Sequence, residues 1–333
     1  MIRRILFSLL LLSNVTQPVS AQGTLGSSKT PEYWANKIAS APTKYSYVGT
    51  FVRFSNNDVE TSHIVHIADK TGEHERTESL DGPVREIVRH NDEVRSYFPR
   101  NVDTVSEKRW LRGHVSILRP KSLSNIDDNY LIKKAGKERI SNYECQVILL
   151  EPKDNIRYKH KLWADMRTGL LLKAAIIYKD QLIEQFFFTE LKIDNQIDRE
   201  LLIPKYPIEI TTPHITHPEP LEMEWNESNW QISALPNGFK KISVMRHKLS
   251  GKPEFVDHIT LSDGLATVSV FVETIKGNVV SPVKRSFPGH GAINVYTRTI
   301  AGHIVTTVGE VPLEGVIEIG NSVVTYRNSE TEN

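Results

Sequence analysis

Histidine, cysteine, serine and acidic side chains are the groups in this chain that could carry out catalysis or bind a metal. The sequence has twelve histidines but a single cysteine, Cys145, which excludes an intramolecular disulfide and a thiolate-rich metal site. It contains no G-x-S-x-G turn, no H-E-x-x-H or C-x-x-C motif, no Walker loop and no G-x-G-x-x-G loop. We therefore predict that the protein is not an enzyme and needs no cofactor or metal. A hydrolase acting through His74 and Glu75 is the minor alternative.

Histidines that lie close together in the sequence are poorly placed to share a metal ion. His63 and His66 are three residues apart on a predicted strand and therefore point to opposite faces, so surface or edge positions are expected for both. His214 and His217 lie among prolines and form only a weak candidate site. Acidic residues also cluster, but without an apolar pocket that would raise a pKa, so we expect them on solvated faces or in turns. These acidic residues are Glu73, Glu75, Glu78, Asp127 and Asp128.

The densest run of charge is the segment Gly72–Leu80, which is closed by Asp81-Gly82-Pro83 and followed by a second charged segment, Val84–Arg89. A turn between two such segments predicts a β-hairpin. Opposite charges can pair across the two strands, each pair contributing about 0.2–1 kcal/mol. A solvated hairpin is the favoured interpretation, and a recognition surface is the alternative.

The elements that must position these residues are mostly strands. Thr30 and Pro31 are typical of a helix start, and Trp34 and Ile38 give the short helix that follows one apolar face. From Tyr45 onward the pattern has period two, with runs rich in Val, Ile, Tyr, Phe and Thr between turn sequences. Predicted strands include 45–54, 63–68, 84–89, 144–150, 170–178 and 183–191. Most gaps are too short for crossover helices, so the pattern indicates an antiparallel meander.

Alternation within the strands gives the sheet an inside and an outside. One face of the strand 170–178 is wholly apolar, whereas the other carries Lys173, with Lys179 following in register. The run Phe186–Phe188 places aromatic rings on both faces, which indicates that the sheet is covered on each side there. Cys145 shares a face with apolar neighbours, so burial is favoured over an intermolecular link.

Length and composition are typical of a globular protein of two domains. The chain has 333 residues, and its 41 basic and 40 acidic side chains are interleaved, which argues against a nucleic-acid partner. Arg3 and Arg4 precede the apolar run Ile5–Leu12, and Val19-Ser20-Ala21 follows, which is the pattern of a cleavable signal peptide. This run is far shorter than the ~20 residues of a spanning helix. Export as a soluble protein is therefore predicted, to the periplasm if the cell is Gram-negative.

A proline-rich segment predicts the boundary between the domains. Five of the 17 prolines fall between Pro204 and Pro220, and strands resume beyond it, with a hairpin turn at Ser262-Asp263-Gly264. Residues 313–323 could form a closing helix, although Gly315 and Gly320 would each weaken it by about 1 kcal/mol. The predicted division is a signal peptide at 1–21, an N-terminal domain at 22–205, a linker at 206–222 and a C-terminal domain at 223–333.

Several segments occur in an order that is more specific than any of them alone. They are Tyr45–Val52, Gly72–Arg76, Leu80–Pro83 with Arg85 and Glu86, Leu235–Phe239, Asp257–Ala266, Ser269–Phe271 and Val308–Pro312. Together they resemble the RseB/MucB family of periplasmic regulators of the envelope-stress sigma factor. In addition, the segments between Leu162 and Phe188 look like the strand pattern shared by the lipoprotein carriers LolA and LolB.

The resemblance implies a fold that is mainly β with some α. The N-terminal domain would be a large, unclosed, barrel-like antiparallel sheet with helices inside it, followed by a smaller C-terminal α+β domain. The family binds the periplasmic region of a transmembrane anti-sigma factor of the RseA/MucA type and shields it from site-one proteolysis until lipopolysaccharide or another lipid releases it. The chain would then be a negative regulator of the envelope stress response. A periplasmic carrier of lipid or lipoprotein is the alternative, and self-association into a homo-oligomer is left open.

A lipid would be expected on the inner face of such a sheet, where each buried CH₂ of an acyl chain contributes about 0.8 kcal/mol. The candidate residues keep a consistent parity along each predicted strand, and ordinary core packing is the alternative for each of them. They are Tyr47, Phe51, Leu170, Leu172, Ile176, Tyr178 and Phe187.

Overall fold

A computed structural model describes residues 29–55, 58–91, 93–99, 126–194, 196–206, 208–211, 221–222, 228–248, 254–275, 284–288 and 291–325. The predicted signal peptide and the pair His214 and His217 lie outside these residues. Across the described ranges, none of the helices has the length and apolar character needed to span a membrane.

The first domain is a large antiparallel sheet with helix α1 (Pro31–Ser40). Its strands are β1 (Tyr47–Ser55), β2 (Asp58–Asp69), β3 (Gly72–Ser79), β4 (Glu86–His90), β5 (Glu93–Phe98), β6 (Tyr130–Ile140), β7 (Tyr143–Pro152), β8 (Lys159–Asp165), β9 (Leu171–Tyr178), β10 (Gln181–Ile193) and β11 (Ile208–Thr211). Their order is β11-β5-β4-β3-β2-β1-β10-β9-β8-β7-β6. Since β11 and β6 lie at opposite edges, the sheet is not closed into a barrel, as predicted.

The second domain is a smaller antiparallel sheet with helix α2 (Leu313–Asn321). Its strands are β12 (Leu221–Glu222), β14 (Lys240–Lys248), β15 (Phe255–Ser262), β16 (Thr267–Thr274), β17 (Lys284–Pro288), β18 (Asn294–Ile300) and β19 (His303–Gly309), in the order β12-β14-β15-β16-β19-β18-β17. A separate pair is formed by β13 (Trp230–Ile232) and β20 (Val323–Thr325). The architecture is therefore mainly β with few helices, as the fold class predicted.

Helix α1 forms where its capping residues predict it. The Thr30 hydroxyl accepts a hydrogen bond from the Tyr33 N–H at 3.2 Å, and Pro31 occupies the first helical turn. Trp34 and Ile38 are each 1% exposed and pack into the core of the large sheet. The predicted burial of Cys145 is confirmed as well, because its side chain is fully buried and its thiol is free.

Helix α2 forms despite its two glycines because each glycine permits a close approach. A Cβ at Gly315 would lie 2.8 Å from the carbonyl oxygen of Ile156, and a Cβ at Gly320 would lie 2.5 Å from a ring carbon of Tyr296. The propensity cost is therefore offset by packing that no larger residue allows.

Within the predicted linker, the described stretches 208–211 and 221–222 lie in sheets, whereas Tyr206 lies outside any strand. Strand β11 pairs with β5 at the edge of the first sheet, and β12 pairs with β14 at the edge of the second. The chain therefore passes from one sheet edge to the other between Thr211 and Leu221.

Candidate functional site: the junction between the two domains

The loop between β7 and β8 inserts into the second domain. Its residues Ile156, Arg157 and Tyr158 are 4%, 2% and 4% exposed. Ile156 belongs to the core of the second domain, and Tyr158 packs with Ile176 of β9 and Ala292, which precedes β18. Three consecutive loop residues are thus buried, so this loop is a structural part of the junction rather than a surface connection.

Arg157 is the centre of the junction. Its Nε donates to Asp263 Oδ2 at 2.6 Å, its Nη1 donates to Asp154, and its Nη2 donates to the carbonyl oxygen of Asn237. The guanidinium carbon lies 4.7 Å from the ring centroid of Phe239. A buried charge is tolerated only when it is paired and hydrogen-bonded, and here each guanidinium nitrogen has a partner.

The two turns that hold Arg157 contain hydrogen bonds of their own, which in the turn at Asn237 run from the Phe239 N–H to the carbonyl oxygen of Pro236 at 3.1 Å. Asp263 Oδ1 accepts the backbone N–H groups of Leu265 and Ala266 at 3.0 and 2.7 Å, which closes the predicted hairpin turn between β15 and β16. The other turn brings Gly238, at φ +81°, against the side chain of Asn129 in the first domain. The guanidinium therefore contacts two turns that are each held by hydrogen bonds within the turn.

A second buried carboxylate meets the second domain at β10. Glu184 Oε1 accepts from Arg53 Nε at 2.8 Å, and its Oε2 accepts from the backbone N–H of Ala292 at 3.3 Å. The preceding Gly291 has φ +62°, and a Cβ there would lie 2.5 Å from both Glu184 Oε2 and Ser55 Oγ. Only glycine fits this position without displacing the carboxylate.

A third contact joins the domains through an amide. Asn294 Nδ2 donates to Tyr158 Oη and to the carbonyl oxygen of Val311, both at 2.8 Å. Burial raises the pKa of Tyr158, so its hydroxyl stays un-ionised while its oxygen accepts this bond.

The charged hairpin of β3 and β4 forms with its predicted cross-strand pairing but is not solvated. Glu75 lies opposite Arg89 in the register, and the two charged groups are 2.8 Å apart. However, Arg76, Glu86 and Arg89 are 4%, 0% and 3% exposed, so the prediction of a solvated hairpin is wrong. The reason is that the chain after β10, which includes a 3₁₀ turn at Arg199–Leu202, lies across the hairpin.

The hairpin of β3 and β4 binds the segment of the chain that leads out of the first domain. Glu86 accepts Arg76 Nε at 2.9 Å on Oε1, and the backbone N–H groups of Lys205 and Tyr206 at 2.7 and 3.2 Å on Oε2. Arg76 Nη1 also donates to the carbonyl oxygen of Leu201 at 3.2 Å. We call residues 199–206 the exit segment, since it precedes β11 and the start of the crossing to the second domain.

His66 and the acidic cluster also depart from the expected solvated positions. His66 is fully buried, stacked on Tyr47 with ring centroids 4.7 Å apart, and its Nε2 lies 2.8 Å from the carbonyl oxygen of Pro42. Burial by itself raises the pKa of Glu75, but the hydrogen bond from His66 and the charge of Arg89 lower it to about 2. A surface position is therefore wrong for His66, because β2 lies in the middle of the sheet.

The remaining polar candidates differ in exposure. Glu73 and Glu78 are largely covered, with side chains 13% and 14% exposed, whereas Asp127 and Asp128 are exposed in a 3₁₀ turn as predicted. His63 is half-buried, and burial lowers its pKa. Among the described residues, no three His, Cys, Asp or Glu side chains are arranged to hold a metal ion.

Four of the seven predicted lipid-contact residues share one core. Tyr47, Phe51, Leu170 and Leu172 are buried together with the rings of Phe186 and Phe188. Phe51 lies opposite Phe188 in the register, with ring centroids 6.0 Å apart in an edge-to-face arrangement.

The other three predicted residues lie elsewhere. Ile176 and Tyr178 pack at the domain junction, where the rings of Tyr178 and Tyr158 meet edge to face. Phe187 lies on the opposite face from its two neighbours, half-buried and with Lys173 Nζ 6.0 Å from its ring centroid. Phe187, which is the only candidate on its strand, therefore lies apart from the core that contains Phe51.

Sequence reasoning did not identify Arg157, Glu184 or Asn294, since a single charged or amide residue in a loop or strand has no pattern of its own. The sequence gives only an indirect indication of where the domains meet. The segments Leu235–Phe239, Asp257–Ala266 and Val308–Pro312 carried the family resemblance, and they supply Asn237, Asp263 and Val311 to the junction.

Comparison with known families and proteins gives a consistent result over nearly the whole described chain. The sequence profile of the MucB/RseB N-terminal domain matches residues 30–206, and that of the MucB/RseB C-terminal domain matches residues 224–324. The chain is 29% identical over 283 residues to the sigma factor AlgU regulatory protein MucB of Pseudomonas aeruginosa, covering 84% of this chain and 86% of the relative. It is 25% identical over 281 residues to the sigma-E factor regulatory protein RseB of Haemophilus influenzae, with 84% and 86% covered.

Solved structures show the same similarity. The crystal structure of MucB in complex with MucA(peri) aligns with a TM-score of 0.71 at 25% identity, covering 90% of this chain and 100% of that one. A complex of Pseudomonas aeruginosa MucA and MucB aligns with a TM-score of 0.70 at 25% identity, covering 89% and 99%.

Proposed function

Since the chain belongs to the MucB/RseB family, we propose that it is a sigma-factor regulatory protein that binds the periplasmic region of a transmembrane anti-sigma factor. The observation that carries this proposal is the similarity, over both domains, to structures in which MucB is bound to MucA(peri). The junction supports it physically. Two domains held by buried, hydrogen-bonded contacts present one preorganised surface, so a peptide that spans both loses less free energy to ordering them.

We further propose a consequence of binding the anti-sigma segment. The protein acts in the periplasm as a negative regulator of the envelope stress response and shields the anti-sigma segment from the protease that makes the first cut. The predicted division into a domain at 22–205, a linker at 206–222 and a domain at 223–333 belongs to this proposal. A segment held in contact with both domains is unavailable to a protease, because cleavage needs an extended, accessible backbone.

Lipopolysaccharide or another lipid releases the block in this proposal. A ligand shifts the equilibrium only by the difference between its affinities for the two forms of the protein, so the lipid must bind the form that has released the anti-sigma segment more tightly. The apolar face that contains Tyr47, Phe51, Leu170 and Leu172 is the proposed place for acyl chains.

A protection assay tests the proposal. The mature protein, residues 22–333, is incubated with the periplasmic segment of the anti-sigma factor from the same organism and with the site-one protease, in the presence and absence of lipopolysaccharide. We expect slow cleavage with the protein alone and faster cleavage when lipopolysaccharide is added. Direct calorimetric titration with the same segment, and with a scrambled segment of equal composition, establishes that protection arises from specific binding.

The outcomes separate the two functions. Protection that lipid does not reverse would retain the anti-sigma partner and remove the lipid signal. Absence of both binding and protection would overturn the regulator, and lipid that co-purifies at one molecule per chain and passes to an acceptor would then favour a carrier of lipid or lipoprotein.

A further inference from the structure

The second domain contacts the first through side chains that are remote in sequence from the connecting chain. Arg157 and Tyr158 stand on the β7–β8 loop and Glu184 on β10, whereas the connection runs from β11 to β12. The partners of these three residues are Asp263, Asn237, Asn294 and Ala292 of the second domain. The contact surface is therefore built independently of the peptide that joins the two sheets.

We infer that the second domain is bound to the first as a non-covalent partner, with Arg157 as the residue that positions it, so that the two domains stay assembled after the connecting chain is cut. The surface on the first domain consists of the β7–β8 loop together with Glu184 and Ser55, against which Gly291 of the second domain packs. The partner that fits this surface is the second domain of the same chain.

The character of the contact supports lasting association. Domain interfaces within a chain are often polar and permit motion by default. Here the Arg157 and Asp263 side chains are both 0% exposed, and Ile156 is part of the core of the second domain. Separating the domains would expose this apolar side chain and would leave the Asp263 carboxylate without its guanidinium, so partial opening has no favourable intermediate.

Close approach of the backbone at two glycines also fixes the orientation of the second domain relative to the first. Gly291 lies against Glu184 and Ser55, and Gly315 lies against the carbonyl oxygen of Ile156. Each approach leaves no room for a Cβ, so a small rotation of the second domain produces steric overlap at one site or the other. The orientation is consequently fixed by shape as well as by charge.

Nicking the full-length chain tests the inference. A protease recognition sequence is inserted between Pro213 and Pro218, which lies after β11 and before β12, so cleavage removes no described strand from its sheet. The chain has one cysteine, so no intramolecular disulfide can hold the two pieces together. We expect the cleaved pieces to co-elute in size-exclusion chromatography at micromolar and lower concentrations.

Two substitutions with a matched control show whether Arg157 positions the domain. In the cleavable chain, Arg157→Met and Asp263→Asn should each weaken association of the pieces, by about 100-fold for Arg157→Met, because a buried charge loses its partner. Lys179→Ala removes the exposed inter-domain pair with Glu314, whose side chains are 69% and 44% exposed, and should change association less than about threefold. Far-ultraviolet circular dichroism of each uncut variant establishes that it is folded.

The inference is overturned if the wild-type pieces separate on cleavage, or if both Arg157→Met and Asp263→Asn leave association unchanged. Asn at position 263 keeps the oxygen that accepts the Leu265 and Ala266 amides, so this variant preserves the turn if Arg157→Met fails to fold. The readout does not involve the anti-sigma factor. Pieces that remain assembled but do not bind the anti-sigma segment would overturn the proposed function while supporting this inference.

Discussion

The Nε of Arg157 lies 2.6 Å from Oδ2 of Asp263, with both side chains fully buried, although the two residues are 106 positions apart and belong to different domains. The pair joins a loop of the large sheet to the hairpin turn between β15 and β16. Replacing both members of such a pair with apolar groups is often harmless, whereas removing one member is costly.

We expect a strong coupling between these two residues in a double-mutant cycle. Arg157→Met and Asp263→Asn should each lower the free energy of unfolding by about 3 kcal/mol, and the double variant should lose clearly less than their sum. Urea unfolding monitored by tryptophan fluorescence measures all four proteins. Additive losses would mean that the two side chains do not stabilise each other.

Arg76→Met should release the exit segment. The substitution leaves the fully buried Glu86 carboxylate without its guanidinium, which should cost about 3–5 kcal/mol of stability. Trypsin should then cleave after Arg199 and Lys205 much faster, as followed by mass spectrometry. Lys137→Ala, which removes an exposed pair with Glu144, is the control and should change neither stability nor cleavage measurably. Unchanged cleavage in Arg76→Met would show that other contacts hold the segment.

Gly291→Ala should destabilise the domain junction more than Gly82→Ala. The two glycines have nearly the same φ, +62° for Gly291 and +64° for Gly82, so alanine costs about 1 kcal/mol of backbone strain at each. A Cβ at Gly82 meets nothing within 4 Å, whereas one at Gly291 overlaps Glu184 and Ser55. An additional loss of about 1–3 kcal/mol is expected for Gly291→Ala in thermal or urea unfolding. Equal losses would mean that the junction adapts to the added methyl group.

Stability should decrease as the pH falls from about 6.5 to about 4. Burial, with the neighbouring His247, lowers the pKa of His258 to about 4, whereas the unfolded chain titrates near the ordinary value of 6.5. Between these values the unfolded state binds more protons than the folded state, so the free energy of unfolding falls as pH falls. His258→Gln should reduce this pH dependence by about 1–3 kcal/mol, as measured by urea unfolding at pH 7 and pH 4.5. An identical pH dependence in the variant would exclude His258 as its source.

Phe51→Leu and Phe187→Leu distinguish the two faces of the large sheet as the place where lipid binds. Phe51 is 8% exposed on the apolar core face, and Phe187 lies on the other face near Lys173. If acyl chains bind the core face, Phe51→Leu should weaken lipopolysaccharide binding about fivefold, while Phe187→Leu should leave it unchanged. Isothermal titration calorimetry measures both. Weaker binding in Phe187→Leu alone would move the lipid site to the opposite face.

Local sequence patterns determined the elements of this protein. Thr30 and Pro31 specify where α1 begins, alternation and turn residues specify the strands, and Asp263 and Gly264 specify a hairpin turn, because each of these depends on neighbours within a few residues. The burial of Cys145 followed from the same alternation. The order of short motifs across the chain further indicated the family.

The tertiary structure decided which charged side chains are buried and which groups they pair with. The sequence around Glu75, Arg76 and Glu86 is typical of a solvated hairpin, but in the folded protein the exit segment covers this hairpin. Likewise, nothing near Arg157 in the sequence indicates that Asp263 will lie against it. Burial of a charge depends on which distant segment supplies its partner, and the energy of that pairing is realised only after both domains have folded. For the same reason Gly291 and Gly315 have no visible role in the sequence, since the groups that leave no space for a Cβ come from other parts of the chain.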